Sequence, residues 1–418
     1  MPYSAQTFSL AWQNRDVFCW CEAFGMPLQT VVIQGLWGLA SVLVVEIVRD
    51  SYHVLGHYWS PIMALHNWHH RAYKKDFTPV SEEIYRQAQL HNDVPEALVM
   101  MAVIALVALG TGIPGLWLGV LYGGSFLAAA IARSQGWLRT TDLTHEPGEL
   151  TTPPSNWLVN RTYHWRHHFD DTNAYFAGYF TVADKVMGTA VSLKGKTVAV
   201  TGASGTMGRA LIDELLKQRA KPIALTTSDG ADFPATVPCW PWQPGAEADL
   251  KEALKRVDIL VINHGTNVHG QRTPEAIAQS LEVNALSGLR LMEVFFQTVE
   301  TSPQRANKEV WVNTSEAEVN PAFSPLYEVS KRLMGQLVTL KRLDAPCVVR
   351  KVILGPFKSN LNPVGVMSAD WVAWAVVALA KRNVRNIIVT INPLTYLLFP
   401  FHEAGHWLYF KFFSRRTP

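Results

Sequence analysis

Two kinds of hydrophobic pattern divide the chain near residue 190. Upstream, long apolar runs are separated by polar stretches rich in histidine. Leu28–Val48 has about the 20 residues that a membrane-spanning helix needs, although Gln29, Gln34 and Glu46 weaken it. Ala97–Leu109 and Leu116–Ala132 flank the helix-breaking turn Gly110-Thr-Gly-Ile-Pro-Gly115 and predict a hairpin whose first arm extends back toward Asp93. Downstream, β-rich runs alternate with helix-like stretches from Lys196-Thr-Val-Ala-Val-Thr-Gly202 to residue 391, the pattern of a doubly wound α/β sheet. Val191–Lys196 reads as a short join. A last apolar region, Leu394–Phe401 and Trp407–Arg416, predicts a membrane-surface segment interrupted at Pro400. The expected organisation is a helical membrane domain over 1–190, an α/β domain over 191–391 and an apolar membrane-associated tail over 392–418.

Charge and composition sharpen this picture. At 17% charged residues the chain falls below the roughly 25% typical of soluble domains, and its 48% hydrophobic content excludes a disordered chain. A net charge of +3 with no Lys/Arg block gives no footprint for nucleic acid. Arg71, Lys74, Lys75 and Arg86 lie between the first crossing and the hairpin, Arg133 and Arg139 follow it, and the hairpin tip is uncharged. The positive-inside rule then puts residues 49–96 and everything after 133 on the cytoplasmic side. The alternative for these apolar runs is the core of a soluble helical domain. Cys19, Cys21, Cys239 and Cys347 form no framework and are expected as reduced thiols. Residues 1–27 carry no secretory-signal pattern.

Ten of the fourteen histidines precede residue 190, and most fall in clusters: His53-x-x-x-His57, His66-x-x-His69-His70 and His164-x-x-His167-His168. Residues three and four apart share a helix face, so each cluster aims imidazoles at one point. Imidazole suits Fe, Zn, Cu and Ni, and eight clustered histidines exceed the needs of one tetrahedral ion, so a two-metal site follows. An even number of crossings between the clusters brings them to the same membrane face.

These motifs resemble those of the fatty acid hydroxylase/sterol desaturase superfamily. The likeness rests on His53-Val-Leu-Gly-His57, His66-Asn-Trp-His-His70, His164-Trp-Arg-His-His168 and the tail Tyr179-Phe-Thr-Val-Ala-Asp184-Lys-Val-Met-Gly188-Thr, and covers residues 30–190. It implies two non-haem iron ions held by His53, His57, His66, His69, His70, His164, His167 and His168, with His145 as a ninth ligand. It also implies O2-dependent hydroxylation or desaturation of a lipid, with electrons from a separate carrier such as ferredoxin or a cytochrome b5-like protein. Val54 departs from the Arg that often follows the first histidine of the first box.

In the second half, the strand Thr197–Thr201 runs into Gly202-Ala-Ser204-Gly205-Thr-Met-Gly208 and then a helical stretch, the arrangement that seats a pyrophosphate at a helix N-terminus. Asn263-His-Gly265, Asn284, Val310-Trp-Val-Asn-Thr-Ser315, Tyr327-x-x-x-Lys331 and Ile353-Leu-Gly-Pro356 follow in order. One helical turn sets the Lys331 ammonium beside the Tyr327 phenol, which predicts a phenol pKa moved toward neutrality and suited to acid–base work. Ser315 could hold the substrate oxygen and Asn284 could complete a proton path.

Residues 194–391 resemble the short-chain dehydrogenase/reductase family, with its Rossmann-like sheet. The resemblance implies Tyr327 as acid/base, Lys331 lowering its pKa and holding the ribose, Ser315 orienting substrate and Asn284 in a proton relay. The cofactor would be bound by Thr201, Gly202, Ser204, Gly205, Gly208, Asn263, Gly265 and Lys331. Departures are His264 within Asn263-His-Gly-Thr, and Gly355-Pro356 where Pro-Gly is usual. After the second strand, Ala224-Leu-Thr-Thr-Ser228 supplies hydroxyls and Asp229 comes late, which points to NADP(H) rather than NAD(H).

His402-Glu-Ala-Gly-His406 matches a zinc-protease motif, but Pro400 and Gly405 disturb it and no third ligand follows. The two halves together predict a bifunctional lipid-modifying enzyme in a membrane, with both active sites on the cytoplasmic face. One half would oxygenate or desaturate a sterol, carotenoid or acyl chain, and the other would interconvert an alcohol and a carbonyl. The plant wax-forming proteins resemble this arrangement and make fatty aldehyde chemistry the alternative. A scaffold with one active half is the other.

Overall fold

A computed structural model describes residues 27–138, 143–228 and 231–415. Arg139, Asp229, Arg416 and the thiols of Cys19 and Cys21 lie outside the described residues. The described chain forms two compact units, residues 27–71 with 82–138, and residues 72–81 with 143–415.

Three helices of the first unit, Leu28–Tyr58, Glu82–Thr111 and Pro114–Ser134, are long and apolar enough to cross a bilayer. The expected extension of the first hairpin arm is present and reaches well beyond Asp93, through a π-helical turn at Gln89–Asp93. Outward side chains such as Leu39, Ile47, Leu106 and Leu121 are more than half exposed. Close packing comes from small residues: a Cβ on Gly119 would meet the Ser41 hydroxyl at 2.8 Å. The hairpin turn is tied to the first helix by the Gly115 N–H, which donates to the Gln34 side chain at 2.7 Å. The second and third histidine-bearing elements differ in surroundings. Ser60–Arg71 belongs to this unit, whereas the short helix Arg161–Phe169 belongs to the other.

The second unit is built on seven parallel strands in the order β3-β2-β1-β4-β5-β6-β7. They are β1 (Thr197–Thr201), β2 (Lys221–Thr226), β3 (Cys239–Pro241), β4 (Ile259–Ile262), β5 (Glu309–Asn313), β6 (Val348–Leu354) and β7 (Asn386–Val389). The central strands are buried on both faces, as continuous apolar runs in a parallel sheet require. One core layer lies between the sheet and helices Thr206–Lys217 and Ala369–Lys381. The other lies between the sheet and helices Ser287–Phe296 and Pro325–Lys341. The order reverses between β1 and β4, the switch point at which such sheets bind nucleotides. Val191 and Leu193 are part of the first core layer, so the expected join is packed structure. Compactness thus groups residues 143–190 with the sheet, while the histidine spacing groups them with the apolar helices.

The C-terminal helix Pro393–Phe413 runs through Pro400 rather than breaking there. Pro400 and Tyr396, whose carbonyl loses its partner, are both exposed, so nothing buried is left unpaired. The continuous helix turns Glu403 inward, where its carboxylate accepts from Lys351 Nζ at 2.6 Å, Thr339 Oγ1 at 2.9 Å and Arg342 at 3.0 Å. Burial raises this carboxyl, but Lys351 and Arg342 outweigh burial and hold it below the usual range. Glu403 is therefore an anchor of the helix and not the base of a protease. Glu403→Gln removes one side of a buried ion pair and should cost about 3 kcal/mol, read as a lowered midpoint of thermal unfolding at neutral pH. Because the folded-state pKa is depressed, the difference from wild type should shrink as pH falls through it.

Candidate functional site

Chemistry concentrates at the C-terminal edge of the sheet. The turn after β1 places Gly202 at φ +60°, where a Cβ would strike His264 Cα at 2.8 Å. Gly208 lets the following helix close on this turn, since a Cβ there would lie 2.3 Å from the Gly202 carbonyl. That helix, Thr206–Lys217, starts at Gly205 with no side-chain cap, leaving its first N–H groups to an anion. Thr201 Oγ1 accepts from the Asn263 N–H at 2.9 Å, and Asn263 Nδ2 donates to the Thr201 carbonyl at 3.2 Å. The ends of β1 and β4 are thus locked together. At the end of β2, Ser204 Oγ is 2.8 Å from Thr226 Oγ1 and 3.2 Å from Ser228 Oγ, and Arg209 donates to the Ser204 carbonyl. This edge fits a dinucleotide: it has the close backbone approach, the uncapped helix end and hydroxyls for a ribose.

The four expected catalytic residues meet here. The Ser315 hydroxyl accepts from the Ala317 N–H at 3.2 Å and lies near enough to the Tyr327 phenol to pull its pKa down. Lys331 Nζ lies 5.8 Å from the centre of the Tyr327 ring and donates to the Asn313 carbonyl at 3.2 Å. Asn284 sits in a π-helical turn, Glu282–Leu286, that re-aims its side chain. Its Oδ1 accepts from the Thr266 N–H at 2.7 Å, and its Nδ2 donates to the Thr266 carbonyl at 2.9 Å and to Ser330 Oγ at 3.0 Å. Gly265 lies against both Asn284 and Lys331: a Cβ there would be a tight 3.1 Å from Asn284 Oδ1 and 3.7 Å from Lys331 Nζ.

The electrostatics depart from expectation at Tyr327. Burial pushes its phenol above the ordinary value, and the Ser315 hydrogen bond only partly offsets this. The expected move toward neutrality is not found: desolvation dominates, and the Lys331 ammonium, 5.8 Å from the ring centre, does not counter it. Burial also brings Lys331 down to about 8, against the opposing pull of Glu318.

Sequence reasoning noticed His264 only as a departure from the family pattern. Its ring nitrogens hydrogen-bond Thr201 Oγ1 at 2.8 Å and Ser287 Oγ at 2.7 Å. Burial and Lys331 lower its pKa to about 3, so it is a neutral strut between β1 and the Asn284 segment. Ser330, one residue before Lys331, was missed altogether. Its role depends on a contact 46 residues away in sequence, which no local spacing reveals.

The histidines converge within each unit. In the first, His66 Nε2 lies 3.0 Å from His57 Nε2 and 3.0 Å from His70 Nε2. A His53 nitrogen lies within 4.8 Å of these atoms. Asn92 Oδ1, 2.8 Å from His66 Nδ1, fixes that nitrogen as the donor and leaves Nε2 to present a lone pair. His69 is buried on the same helix. In the second unit the Nε2 atoms of His145, His164 and His168 are 2.9 to 3.1 Å apart, so His145 joins the set. His145 also stacks on Tyr73, with ring centres 4.4 Å apart. His167 Nδ1 donates to the Ala174 carbonyl at 2.8 Å, the same orienting device seen at His66. Three ring nitrogens this close either share protons or face a common cation, so both sets suit a transition metal.

The cluster of the second unit and Tyr327 lie at opposite ends of one strand. Arg166, on the helix of His164 and His168, bonds Glu309 at the start of β5, and Lys331 bonds Asn313 at its end. Four residue steps of strand separate these anchors by roughly 13 Å. One substrate atom cannot occupy both places at once. The pair His402 and His406 joins no metal-ligating group among the described residues.

Comparison with known proteins adds a relative over nearly the whole length. No protein-family model matches the chain. Among solved structures, it is similar to a short-chain dehydrogenase from Burkholderia cenocepacia in complex with NADP (18% identity, TM-score 0.45, 54% of this chain and 100% of that one). It is also similar to the aldohexose dehydrogenase of Thermoplasma acidophilum (17% identity, TM-score 0.41, 47% and 93%). Among curated proteins it is 56% identical over 403 residues to the monoglucosyldiacylglycerol epimerase of Synechocystis sp., covering 91% of this chain and 97% of that protein. The chain belongs to the family of that epimerase.

Proposed function

We propose that the nucleotide-binding unit inverts a hydroxyl-bearing carbon in the sugar of a glucosyl-diacylglycerol. The observation that carries this reading is a complete Ser315, Tyr327, Lys331 and Asn284 constellation in a chain 56% identical to an epimerase of monoglucosyldiacylglycerol. A carbinol C–H is not acidic, so its carbon inverts most directly by oxidation to a ketone and re-reduction from the other face. A bound nicotinamide would accept the hydride and return it. Tyr327 takes the hydroxyl proton as the ketone forms and gives it back as the alcohol is restored, so atoms and electrons balance with no net oxidant. Ser315 orients the sugar oxygen, Lys331 favours the phenolate, and Asn284 holds the Thr266 and Ser330 segments that frame the pocket. The Thr226, Ser228 and Arg209 grouping at the end of β2 favours NADP(H) over NAD(H).

A second reading concerns the histidines. The convergent nitrogens of His53, His57, His66 and His70 in one unit and of His145, His164 and His168 in the other, together with His69 and His167, would hold two iron ions. With a carrier such as ferredoxin or a cytochrome b5-like protein, they would support oxygenation or desaturation of a lipid. The orienting bonds at His66 and His167 support metal binding here; they do not select the metal. The charges at Arg71, Lys74, Lys75 and Arg133 favour a chain that spans a membrane with its nucleotide-binding unit on the cytoplasmic side.

Three outcomes test these readings. Full-length protein in lipid nanodiscs, given glucosyl-diacylglycerol deuterated on its ring carbons, should form an epimeric glycolipid that keeps the label at the inverted carbon. Tyr327→Phe should lower the rate by about 10²–10⁴-fold, whereas full activity in this variant, or loss of label to water, would overturn the redox route. Turnover should fall as pH rises through about 8, where the Lys331 ammonium is lost. Lys331→Met should remove that limb of the profile. Finally, purified protein should carry transition metal by elemental analysis, and His168→Ala should lower the content. Equal metal in wild type and variant would leave that histidine set without a metal role.

A further inference from the structure

The C-terminal helix Pro393–Phe413 is inverted in polarity. Its inward face carries Thr395 and Glu403, bonded to Asn320 and to Lys351, with Phe399 between them. The outward face repeats Leu394, Leu397, Phe401, Leu408 and Phe412 at helical spacing, with Phe401 and Phe412 both 74% exposed. A helix facing water would carry its polar side chains outward.

The same surface continues around the mouth of the nucleotide edge. The helix starts beside the segment that follows β5, where Thr395 Oγ1 donates to Glu316 and accepts from Asn320 Nδ2. Phe323, four residues before Tyr327, is 100% exposed at φ +52°. An aromatic residue in this strained conformation gains no packing in water. The loop after β6 adds Val364 at 87% and Val366 at 71% exposure. The loop after β6 and the C-terminal segment expose basic charge only. Residues 356–368 and 390–415 expose Lys358, Lys411 and Arg415, and their one acidic residue, Glu403, is buried.

We propose that this surface sits in the interfacial layer of a lipid bilayer and that the sugar-modifying site opens at the bilayer surface. Phe323, Val364, Val366 and the outward face of the C-terminal helix enter the acyl boundary, and Lys358, Lys411 and Arg415 meet lipid phosphates. A lipid whose acyl chains stay in the membrane then presents its headgroup to Tyr327 without leaving the bilayer. The surface itself stands on exposure, helical spacing and charge. Its use by a glycolipid rests on the proposed epimerase reading.

Full-length protein lacking its four native cysteines, with one cysteine restored at 364 or 401 and a third variant at the helix position of Asp213 on the sheet's other flank, would be labelled with a fluorophore. After reconstitution into vesicles of phosphatidylcholine and phosphatidylglycerol, quenching by lipids carrying a nitroxide near the headgroup or deep in the acyl chain reads the depth. Labels at 364 and 401 should be quenched at least about twofold more by the shallow than by the deep nitroxide, as expected for burial of roughly 5–10 Å. The label at 213 should respond to neither. Quenching at 364 and 401 no greater than at 213 would overturn the proposal. Quenching as expected, with no epimerised glycolipid formed by the wild type, would leave the surface standing and sink the epimerase reading instead.

Discussion

A single buried carboxylate, Glu309, holds the second unit together. It stands at the start of β5 and is bonded by Arg350 at 2.8 and 2.9 Å, by Arg166 at 3.2 Å and by the Trp311 indole N–H at 3.0 Å. Burial alone would raise its pKa; Arg350 and Arg166 overcome burial and bring it to about 2. Arg166 comes from the helix of His164 and His168, and Arg350 comes from β6. One ion group therefore fastens a histidine helix to the N-terminal edge of the seven-stranded sheet. Lys196 on Asp170 and Ser192 on Asp171 extend the same seam. A buried triad is costly to desolvate and costlier to break, so the helix cannot leave the sheet without stranding charge.

This attachment sets the chemistry apart in space. The nucleotide edge lies at the C-terminal ends of the strands and the histidine helix at their N-terminal ends. An epimerisation that returns its own hydride needs no electron from elsewhere. Under the proposed reading, Ser315, Tyr327 and Lys331 all come from the turn after β5 and the helix Pro325–Lys341 that follows it.

The polarity of the chain is a second constraint. Apolar side chains that would be core in a soluble protein lie on the outside of the three long helices of one unit and of the C-terminal helix of the other. Key polar groups pair inward, as Tyr122 does with Glu46 and Glu403 with Thr339. Inward pairing of polar groups satisfies them where water is scarce.

Much of this was legible in the sequence. Apolar runs of spanning length, strand–turn–helix punctuation around Gly202 and the four-residue spacing of Tyr327 and Lys331 are local signals. Backbone geometry turns such signals directly into structure. The histidine spacing likewise implied convergent imidazoles. Tertiary structure decided what depends on distant partners. It raised rather than lowered the Tyr327 phenol, because burial depends on every neighbour and not on the residue one turn away. It converted His264 from a pattern departure into a strut between Thr201 and Ser287. It carried the last helix through Pro400 and turned Glu403 into an anchor, since Lys351 and Arg342 reach it from elements more than 50 residues earlier. It also joined the third histidine helix to the nucleotide sheet through Glu309. Sequence spacing reports which side chains share a face; only packing reports which charges must find each other once water is gone.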